Sequence, residues 1–434
     1  MSISAAAVVG PRHQSIRRVA LASFVGTTIE WYDFFLYGTA AALVFNRLFF
    51  PTFAPLAGTL AAYATYAVGF IARPLGGIII GHFGDRIGRK SMLVLTLVIM
   101  GVATFLIGLL PTYDQIGFWA AVLLVTLRMV QGFGVGGEWG GAVLMAVEHA
   151  PPGRRGFYGS WPQIGVPIGL LLSTGVFSIV SRLPQDQFLS WGWRIPFLLS
   201  IVLVAVGLFI RLSLLETPAF AKLKETRSES RMPILEVLRH YPKQVLLAAG
   251  ARVAENGAFY IYSVFSITYA TQYVGLSRSL VLNAILFAAA CDAVAIPLYG
   301  ELSDRIGRRP VYLFGAVMTA LLAFPFFWLI GTGQPRMVFL AMFCVFVLSH
   351  AAMYAPQAAF LSELFGTRVR YSGASLGSQL ASVVAGGLAP LIATALMAKY
   401  GVSAVALYVA GMAAVTIVSV VAAVETMRSN FDEE

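Results

Sequence analysis

The sequence predicts an all-α membrane protein of twelve transmembrane helices, arranged as two six-helix bundles of related sequence. Of its 434 residues, 58% are hydrophobic and only 12% are charged, whereas soluble domains carry about 25% charged residues. The charged loop at residues 81–90 returns in similar form at residues 300–309, and the one long hydrophilic stretch, residues 215–242, lies between the two copies. Such a duplication is typical of membrane carriers built from parallel repeats.

Apolar segments long enough to cross about 30 Å of hydrocarbon follow one another along the chain. The twelve predicted spans are 18–46, 58–83, 91–110, 116–147, 158–180, 192–214, 243–272, 279–301, 310–331, 337–362, 371–397 and 402–425. This predicts an N-terminal bundle at 18–214, a linker at 215–242 and a C-terminal bundle at 243–425, with tails at 1–17 and 426–434. The first ten residues lack the charged-then-apolar layout of a cleavable signal peptide, so the first span is expected to stay in the membrane.

The net charge of +10 is distributed as membrane topology requires, and nucleic acid is therefore not an expected partner. Most of the 30 Lys and Arg residues lie in the tails, the linker and alternate loops. By the positive-inside rule, this places both termini in the cytoplasm. We expect the membrane to be a bacterial inner membrane. Cys291 and Cys344 lie in predicted spans, so they are expected to be packing residues, and no metal site is predicted.

Several sequence strings carry a family resemblance. They are Gly-Thr-Thr-Ile-Glu-Trp-Tyr-Asp-Phe-Phe-Leu-Tyr-Gly at 26–38, Arg-Pro-Leu-Gly-Gly at 73–77, Arg-Met-Val-Gln-Gly-Phe-Gly-Val-Gly-Gly-Glu-Trp-Gly-Gly at 128–141, Trp-Gly-Trp-Arg-Ile-Pro-Phe at 191–197 and Glu-Thr-Pro-Ala-Phe at 216–220. With them the chain resembles the major facilitator superfamily and, along nearly its full length, the metabolite:proton symporter branch, most of all its shikimate permeases and related organic-acid transporters. The resemblance implies two pseudo-symmetric bundles, a midplane site between them, and uptake of an organic acid with a proton. We expect a monomer in the lipid bilayer, with the proton as coupling ion and no other cofactor.

The repeated charged loops are predicted to act as gates. Their glycines allow a tight turn, and their Asp can accept hydrogen bonds from a neighbouring helix end or Arg. The resemblance implies that Asp85 contacts the cytoplasmic end of span eleven and that Asp304 contacts that of span five. The predicted gating residues are Asp85, Arg86, Arg89, Glu148, Arg155, Asp304, Arg305, Arg308, Glu363 and Arg370. A purely topogenic role of these charges is the alternative.

Ionisable side chains at membrane depth cost about 2.5 to 3.5 kcal/mol each on insertion scales, so each is a candidate functional residue. Glu30, Asp33 and Tyr37 share one face of the first span. Two carboxylates so close disfavour joint ionisation. We therefore expect Asp33 to carry the proton, with Glu30 as coupled partner or latch, and Asp292 in span eight as a further candidate.

Arg128, near the middle of span four, is the predicted carboxylate anchor, because a guanidinium keeps its proton and needs an anionic partner. A structural ion pair with Glu30 or Asp33 is the alternative. The other predicted substrate-binding residues are Tyr37, Gln131, Gln163, Asn256, Tyr260, His350, Tyr354, Gln357 and Gln379. In span seven, Arg252 and Glu255 have the spacing of an ion pair on one helix.

Taken together, these features predict a proton-coupled importer of a small organic acid, such as the hydroxylated carboxylate shikimate, by alternating access. An efflux antiporter of a metabolite or drug is an alternative, because residues 165–169 partly resemble the glycine-proline element of antiporters. A dicarboxylate, an aromatic acid or a zwitterionic osmolyte is an alternative cargo. A membrane enzyme is disfavoured because the loops are short, and a binding-only sensor because both gate loops are intact.

Overall fold

The computed structural model describes residues 16–87, 89–136, 139–148, 150–151, 153–212, 233–365 and 370–428, and every regular element within these ranges is a helix. In the first half, α1 is Ile16–Ala40, continued by the π-helical Ala41–Phe45 and by Asn46–Leu48, α2 is Pro55–Ile87 and α3 is Arg89–Leu109. A single turn, Tyr113–Ile116, precedes α4, which is described as Phe118–Val135 and Trp139–Glu148. α5 is Arg155–Val180, and α6 is Arg194–Leu212, after Gln185–Gln187 and the π-helical Phe188–Gly192.

The second half follows a short helix, Pro233–His240. In it, α7 is Pro242–Tyr260, continued by Ile261–Phe265, Ser266–Thr268 and Tyr269–Tyr273, α8 is Arg278–Ile306 and α9 is Arg308–Gly331. α10 is Pro335–Phe343, Cys344–His350 and Ala351–Glu363, α11 is Arg370–Ala381, Ser382–Gly387 and Ala389–Tyr400, and α12 is Val402–Ala422. α1–α12 thus correspond one to one with the predicted spans.

Nine helices among the described residues are long and apolar enough to cross a membrane. The described apolar part of α3, Val94–Leu109, is shorter, and α1 and α7 also fall outside the nine. α1 carries Glu30 and Asp33, and α7 carries Arg252 and Glu255, which lower the hydropathy of both helices. Since α1 and α7 open the two halves, the two polar helices occupy equivalent places in the duplicated fold.

Glycines let α2 and α4 approach backbone to backbone, as in other closely packed membrane helices. A methyl group added to Gly132 would overlap the carbonyl oxygen of Gly69, and one added to Gly76 would overlap that of Phe133. A methyl group on Gly69 would also collide with the guanidinium of Arg128. This close approach therefore fixes the position of Arg128 between the two helices.

The two halves contact each other on both sides of the molecular centre. We call the side on which α1 begins and α12 ends the tail face, and the opposite side the far face. Towards the far face, the Tyr63 hydroxyl of α2 lies 2.7 Å from Thr268 Oγ1 of α7. Towards the tail face, α5 packs against α8 and α10. The central side chains are thereby enclosed from both faces.

Candidate functional site

Arg128 on α4 is completely buried at the centre of the first half. Its Nη1 donates to Gln131 Oε1 at 2.8 Å, and Gln131 Nε2 donates to Thr104 Oγ1 at 2.6 Å. Its Nε and Nη2 have no hydrogen-bond partner, and no ion pair to Arg128 forms within the described part of the chain. The alternative of a structural ion pair with Glu30 or Asp33 is therefore not what this conformation shows.

Aromatic rings surround the Arg128 guanidinium. Its central carbon lies 4.4 Å from the Phe34 ring centroid, 4.3 Å from that of Tyr37 and 4.8 Å from that of Tyr66. The Tyr37 hydroxyl is directed away, donating to Thr65 Oγ1 at 2.7 Å. Ring faces attract a desolvated cation by about 2 kcal/mol but leave its N–H donors unused. The rings thus stabilise the positive charge of Arg128 and leave its N–H groups able to bind an anionic ligand.

Asp33 and Glu30 on α1 are both buried. The two carboxylate oxygens of Asp33 have no hydrogen-bond partner among the described residues. Thr104 lies beside Asp33, but its hydroxyl proton goes to the Met100 carbonyl at 2.9 Å. Asp33 is therefore a buried acid with no cationic partner among the side chains that the structure describes.

Around His350, side chains of α7, α8 and α10 form a buried polar cluster in the second half. His350 Nδ1 lies 2.9 Å from Asp292 Oδ2, and His350 Nε2 lies 3.9 Å from Glu255 Oε1. The imidazole stacks on the Phe259 ring at 3.9 Å and on the Tyr354 ring at 4.9 Å. Within the described ranges no such group of side chains is arranged to hold a metal ion. The cluster is suited to holding and passing a proton.

Glu255 connects this cluster to the rest of the polar lining. Arg252 Nε lies 3.3 Å from Glu255 Oε2, so the i, i+3 pair forms. Gln357 Nε2 donates to the same oxygen and to the Tyr312 hydroxyl, both at 2.9 Å. Next along α7, Asn256 Nδ2 donates to Ser382 Oγ of α11 at 3.0 Å.

Two predicted glutamines bridge the halves instead of facing an open cavity. Gln163 Nε2 of α5 donates to the Tyr354 carbonyl of α10 at 3.1 Å. Gln379 Nε2 of α11 donates to the Gly136 carbonyl at the end of the first α4 segment at 3.3 Å. The hydroxyls of Tyr260 and Tyr354 are buried with no hydrogen-bond partner in the described structure. These two hydroxyls are thus available to a ligand.

The second charged loop closes the tail face. Asp304 at the end of α8 accepts hydrogen bonds from the backbone N–H groups of Gly156 and Phe157, both at 2.8 Å. Arg308 at the start of α9 binds Asp304 Oδ1 at 2.6 Å and Glu363 Oε1 at 3.3 Å. Arg305 does not join this network, since it pairs with Glu301 on the exposed side of α8. A buried charge network thus joins α8 to the first turn of α5, which begins at Arg155.

Sequence reasoning missed Glu425, which follows α12. Its Oε1 accepts from the Arg308 backbone N–H at 2.9 Å, and its Oε2 accepts from that of Arg309 at 3.0 Å. The adjacent Thr426 donates to Glu363 Oε2 at 2.7 Å. The available signal was an acidic residue at the end of the last predicted span, 402–425. The side chains of the other gating candidates, Asp85, Arg86, Arg89, Glu148 and Arg370, lie outside what the structure describes.

A second residue was missed as a site residue. Arg73 of α2 was recognised only as part of a sequence string, yet it is buried at the centre of the molecule beside Phe34 and Phe70. The signal was present, because an Arg at membrane depth is costly and by default functional.

Comparison with known proteins agrees with this architecture. The chain matches the sequence profile of the Major Facilitator Superfamily over residues 23–390 and 257–432. It is 48% identical over 390 residues to the shikimate transporter of Escherichia coli strain K12, covering 88% of each chain. It is 43% identical over 423 residues to the inner membrane metabolite transport protein YhjE of the same organism, covering 96% of each.

More distant relatives agree as well. The chain is 36% identical to the proline/betaine transporter of Escherichia coli strain K12, over 87% of this chain and 77% of that one. Its fold matches the partially occluded inward-open xylose transporter XylE of Escherichia coli with a TM-score of 0.73 at 18% identity, covering 96% of this chain and 99% of that one. The all-α prediction of twelve helices in two bundles is confirmed, and so is the prediction of a carrier rather than an enzyme. The chain is therefore a multi-pass membrane transporter that belongs to the Major Facilitator Superfamily.

Proposed function

We propose that this protein is a proton-coupled importer of a small organic acid, a hydroxylated carboxylate of the shikimate type, that works by alternating access. One observation carries the proposal: Arg128 is buried at the centre with two N–H-bearing nitrogens unpartnered in the described structure. Leaving a buried guanidinium without an anion is unfavourable. The carboxylate of a substrate supplies that anion.

The similarity to a shikimate transporter supports the acid as cargo. The lining suits the rest of such a molecule, because Asn256, Tyr260 and Tyr354 place amide and hydroxyl groups near the centre. A dicarboxylate, an aromatic acid or a zwitterionic osmolyte is the competing cargo, the last because of the similarity to a proline/betaine transporter.

Proton coupling is proposed at Asp292 and His350, with Asp33 and Glu30 as the second candidate site. The cluster holds one side chain of fixed positive charge, Arg252, and two acidic side chains, Glu255 and Asp292. A proton shared between Asp292 and His350 offsets the second acid, and a cluster with balanced charges is easier to keep buried. Protonation therefore favours the closed packing of α7, α8 and α10 seen here.

The tail face is proposed to be cytoplasmic, since the basic loops lie there. The network of Asp304, Arg308, Glu363 and Glu425 would then be the gate that closes the cytoplasmic side while the site faces outward. The protein is proposed to act as a monomer in the bacterial inner membrane.

The test is uptake of radiolabelled shikimate into proteoliposomes holding the purified protein, with and without an inward proton gradient. We expect the gradient to drive accumulation above the external concentration, and an ionophore that collapses it to reduce transport to equilibration. Arg128→Ala should abolish saturable uptake. Retained acid uptake in Arg128→Ala would remove Arg128 from the site.

The same vesicles test the antiporter alternative. An antiporter would expel preloaded substrate when the proton gradient points inward, whereas a symporter would retain it. The residues at 165–169 belong to α5, where Gly165 and Gly169 pack against Thr27, Thr28 and Tyr32 of α1. Close helix packing explains these glycines without an exchange mechanism.

A further inference from the structure

Arg73 on α2 is a second central guanidinium without an anion. It is 4% exposed, and its Nε and Nη2 have no hydrogen-bond partner among the described residues. Across the described ranges it makes only ring contacts, with its central carbon 4.2 Å from the Phe34 ring centroid and 4.5 Å from that of Phe70. A role in membrane topology does not explain it, because it lies near the middle of α2 and not in a loop.

Arg73 and Arg128 converge on the same aromatic ring. The central carbon of Arg128 lies 4.4 Å from the centroid of Phe34, to which Arg73 also packs. The two arginines come from α2 and α4, which the glycine contacts hold backbone to backbone. Like charges in an apolar setting repel each other, so this convergence is favourable only when an anion lies between or beside them.

Ring contacts leave the arginines able to bind that anion. A guanidinium is planar and carries its five N–H donors around its edge, while ring stacking uses its faces. The rings of Phe34, Phe70 and Tyr66 thus cover the faces of the two guanidinium groups and exclude water from them. The edges stay open to a carboxylate, whose two oxygens match the donor fork.

Two further unpartnered polar groups border the same place. The Tyr66 hydroxyl of α2 and the Tyr260 hydroxyl of α7 are buried with no hydrogen-bond partner in the described structure, and their ring centroids are 6.0 Å apart. Tyr66 also contacts the Arg128 guanidinium, and Tyr260 packs on Phe70 at 5.3 Å. Buried polar atoms are nearly always satisfied in folded proteins, so a cluster of unsatisfied ones marks where a ligand belongs.

We propose that Arg73 and Arg128 clamp one carboxylate of the substrate between them, and that Tyr66 and Tyr260 bind a hydroxyl group on the same molecule from the two halves. This proposal rests on the proposed function and narrows its substrate class to monocarboxylates that carry a hydroxyl group near the acid. A substrate held by α2, α4 and α7 together draws the two halves closed around it.

The experiment compares each acid with its uncharged methyl ester on purified protein in nanodiscs, using calorimetry and thermal shift. The ligands are shikimate, its methyl ester, a dicarboxylate and a deoxygenated cyclohexene carboxylate. The variants are Arg73→Gln, Arg73→Lys, Arg128→Gln and the double glutamine variant. The control is Arg278→Gln, which removes an arginine packed on a ring, that of Phe188 at 4.6 Å, at the far-face end of α8.

We expect Arg73→Gln to weaken binding of the acid about tenfold to a hundredfold, the effect of losing a charged hydrogen bond, with ester binding unchanged. Arg73→Lys should recover part of the loss. The double variant should lose less than the product of the two single losses, because both arginines bind one group. Arg278→Gln should bind acid and ester like the wild type.

Three results would overturn the proposal. Acid binding unchanged in Arg73→Gln would remove Arg73 from the site, and equal losses for acid and ester in a folded variant would make it a packing residue. Independent, multiplicative losses together with a preference for the dicarboxylate would mean that the arginines bind separate groups. These results differ from a failure of the proposed transport function. In that case gradient-driven uptake would be absent, but the preference for acid over ester would still depend on Arg73.

Discussion

His350 Nδ1 lies 2.9 Å from Asp292 Oδ2, and this polar contact links α10 to α8 inside the second half. Both side chains are buried, and the imidazole is also stacked on Phe259. A proton that reaches His350 is therefore held by a fixed acid on another helix. We expect its gain or loss to change how firmly α8 and α10 are joined, as the proposed proton coupling requires.

Asp292→Asn should uncouple transport from the proton gradient. The amide can still hydrogen-bond to His350 but cannot balance its positive charge, so proton-driven accumulation should fall at least about tenfold. Exchange of labelled for unlabelled substrate at equal pH should persist, since it needs no net proton movement. Accumulation and exchange are both measured in proteoliposomes, and Cys291→Ala, at the neighbouring position, is the control. Wild-type accumulation in Asp292→Asn would place coupling elsewhere, with Asp33→Asn as the next variant.

Asp304→Asn should weaken closure of the tail face. The change removes a buried charge that binds Arg308 and two backbone N–H groups, and breaking such a buried pair costs about 3 to 5 kcal/mol. Substrate uptake should fall, and a cysteine introduced at Ser160 in a cysteine-free background should become more reactive to a membrane-impermeant thiol reagent from that side. Ser160 is fully buried in the closed arrangement.

The matched control for that gate variant is Glu301→Gln, one turn earlier on α8. Glu301 also pairs with an arginine four residues on, but the side chains of Arg305 and Glu301 are 71% and 45% exposed. Exposed pairs contribute about 0 to 1 kcal/mol, so this variant should transport normally. Equal effects of the two substitutions would mean that charge in the loop matters and the buried network does not.

Gly132→Ala should destabilise the first half. The added methyl group would overlap the Gly69 carbonyl oxygen and force α2 from α4, with a cost of at least about 1 to 3 kcal/mol. The melting temperature in detergent should fall, and acid binding with it, because Arg128 moves with α4. Gly411→Ala on α12, where an added methyl group meets nothing within 4 Å, should leave both unchanged. A stable Gly132→Ala protein would show that the two helices can separate freely.

Tyr63→Phe should loosen the far face. The hydroxyl joins α2 to Thr268 of α7, and its loss costs about 0.5 to 1.5 kcal/mol. A cleft of about 440 Å³ at this face is lined by both halves and by Gln272. Labelling of Gln272→Cys should therefore become faster. Tyr262→Phe is the control, because it removes a buried hydroxyl with no hydrogen-bond partner among the described residues. It should leave the labelling rate unchanged. If Tyr262→Phe speeds labelling as much as Tyr63→Phe, the hydrogen bond of Tyr63 is not what closes this face.

The sequence predicted functional residues where a charged side chain is costly to bury in the membrane or where a motif is repeated. The duplicated loops, the central position of Arg128 and the Arg252–Glu255 spacing were all readable, because membrane burial of charge and the helical period leave few choices. Contacts that depend on tertiary packing were not readable. The position of Glu425 beside Arg308, and the shared contact of Arg73 and Arg128 with Phe34, join residues far apart in sequence. Neither the helical period nor the cost of burying charge indicates which of these distant residues meet.

The polarity of α1 and α7 has a consequence for how the protein is made. A helix with two charged side chains inserts poorly alone, at about 2.5 to 3.5 kcal/mol per charge near its centre. α7 carries Arg252 and Glu255 and emerges from the ribosome before α8, the more apolar helix that follows it. We expect α7 to wait at the translocon until α8 has been synthesised and to enter the lipid together with it. Membrane insertion of each half would then begin with a pair of helices. The charged residues proposed to be most needed for transport would be those that most delay insertion.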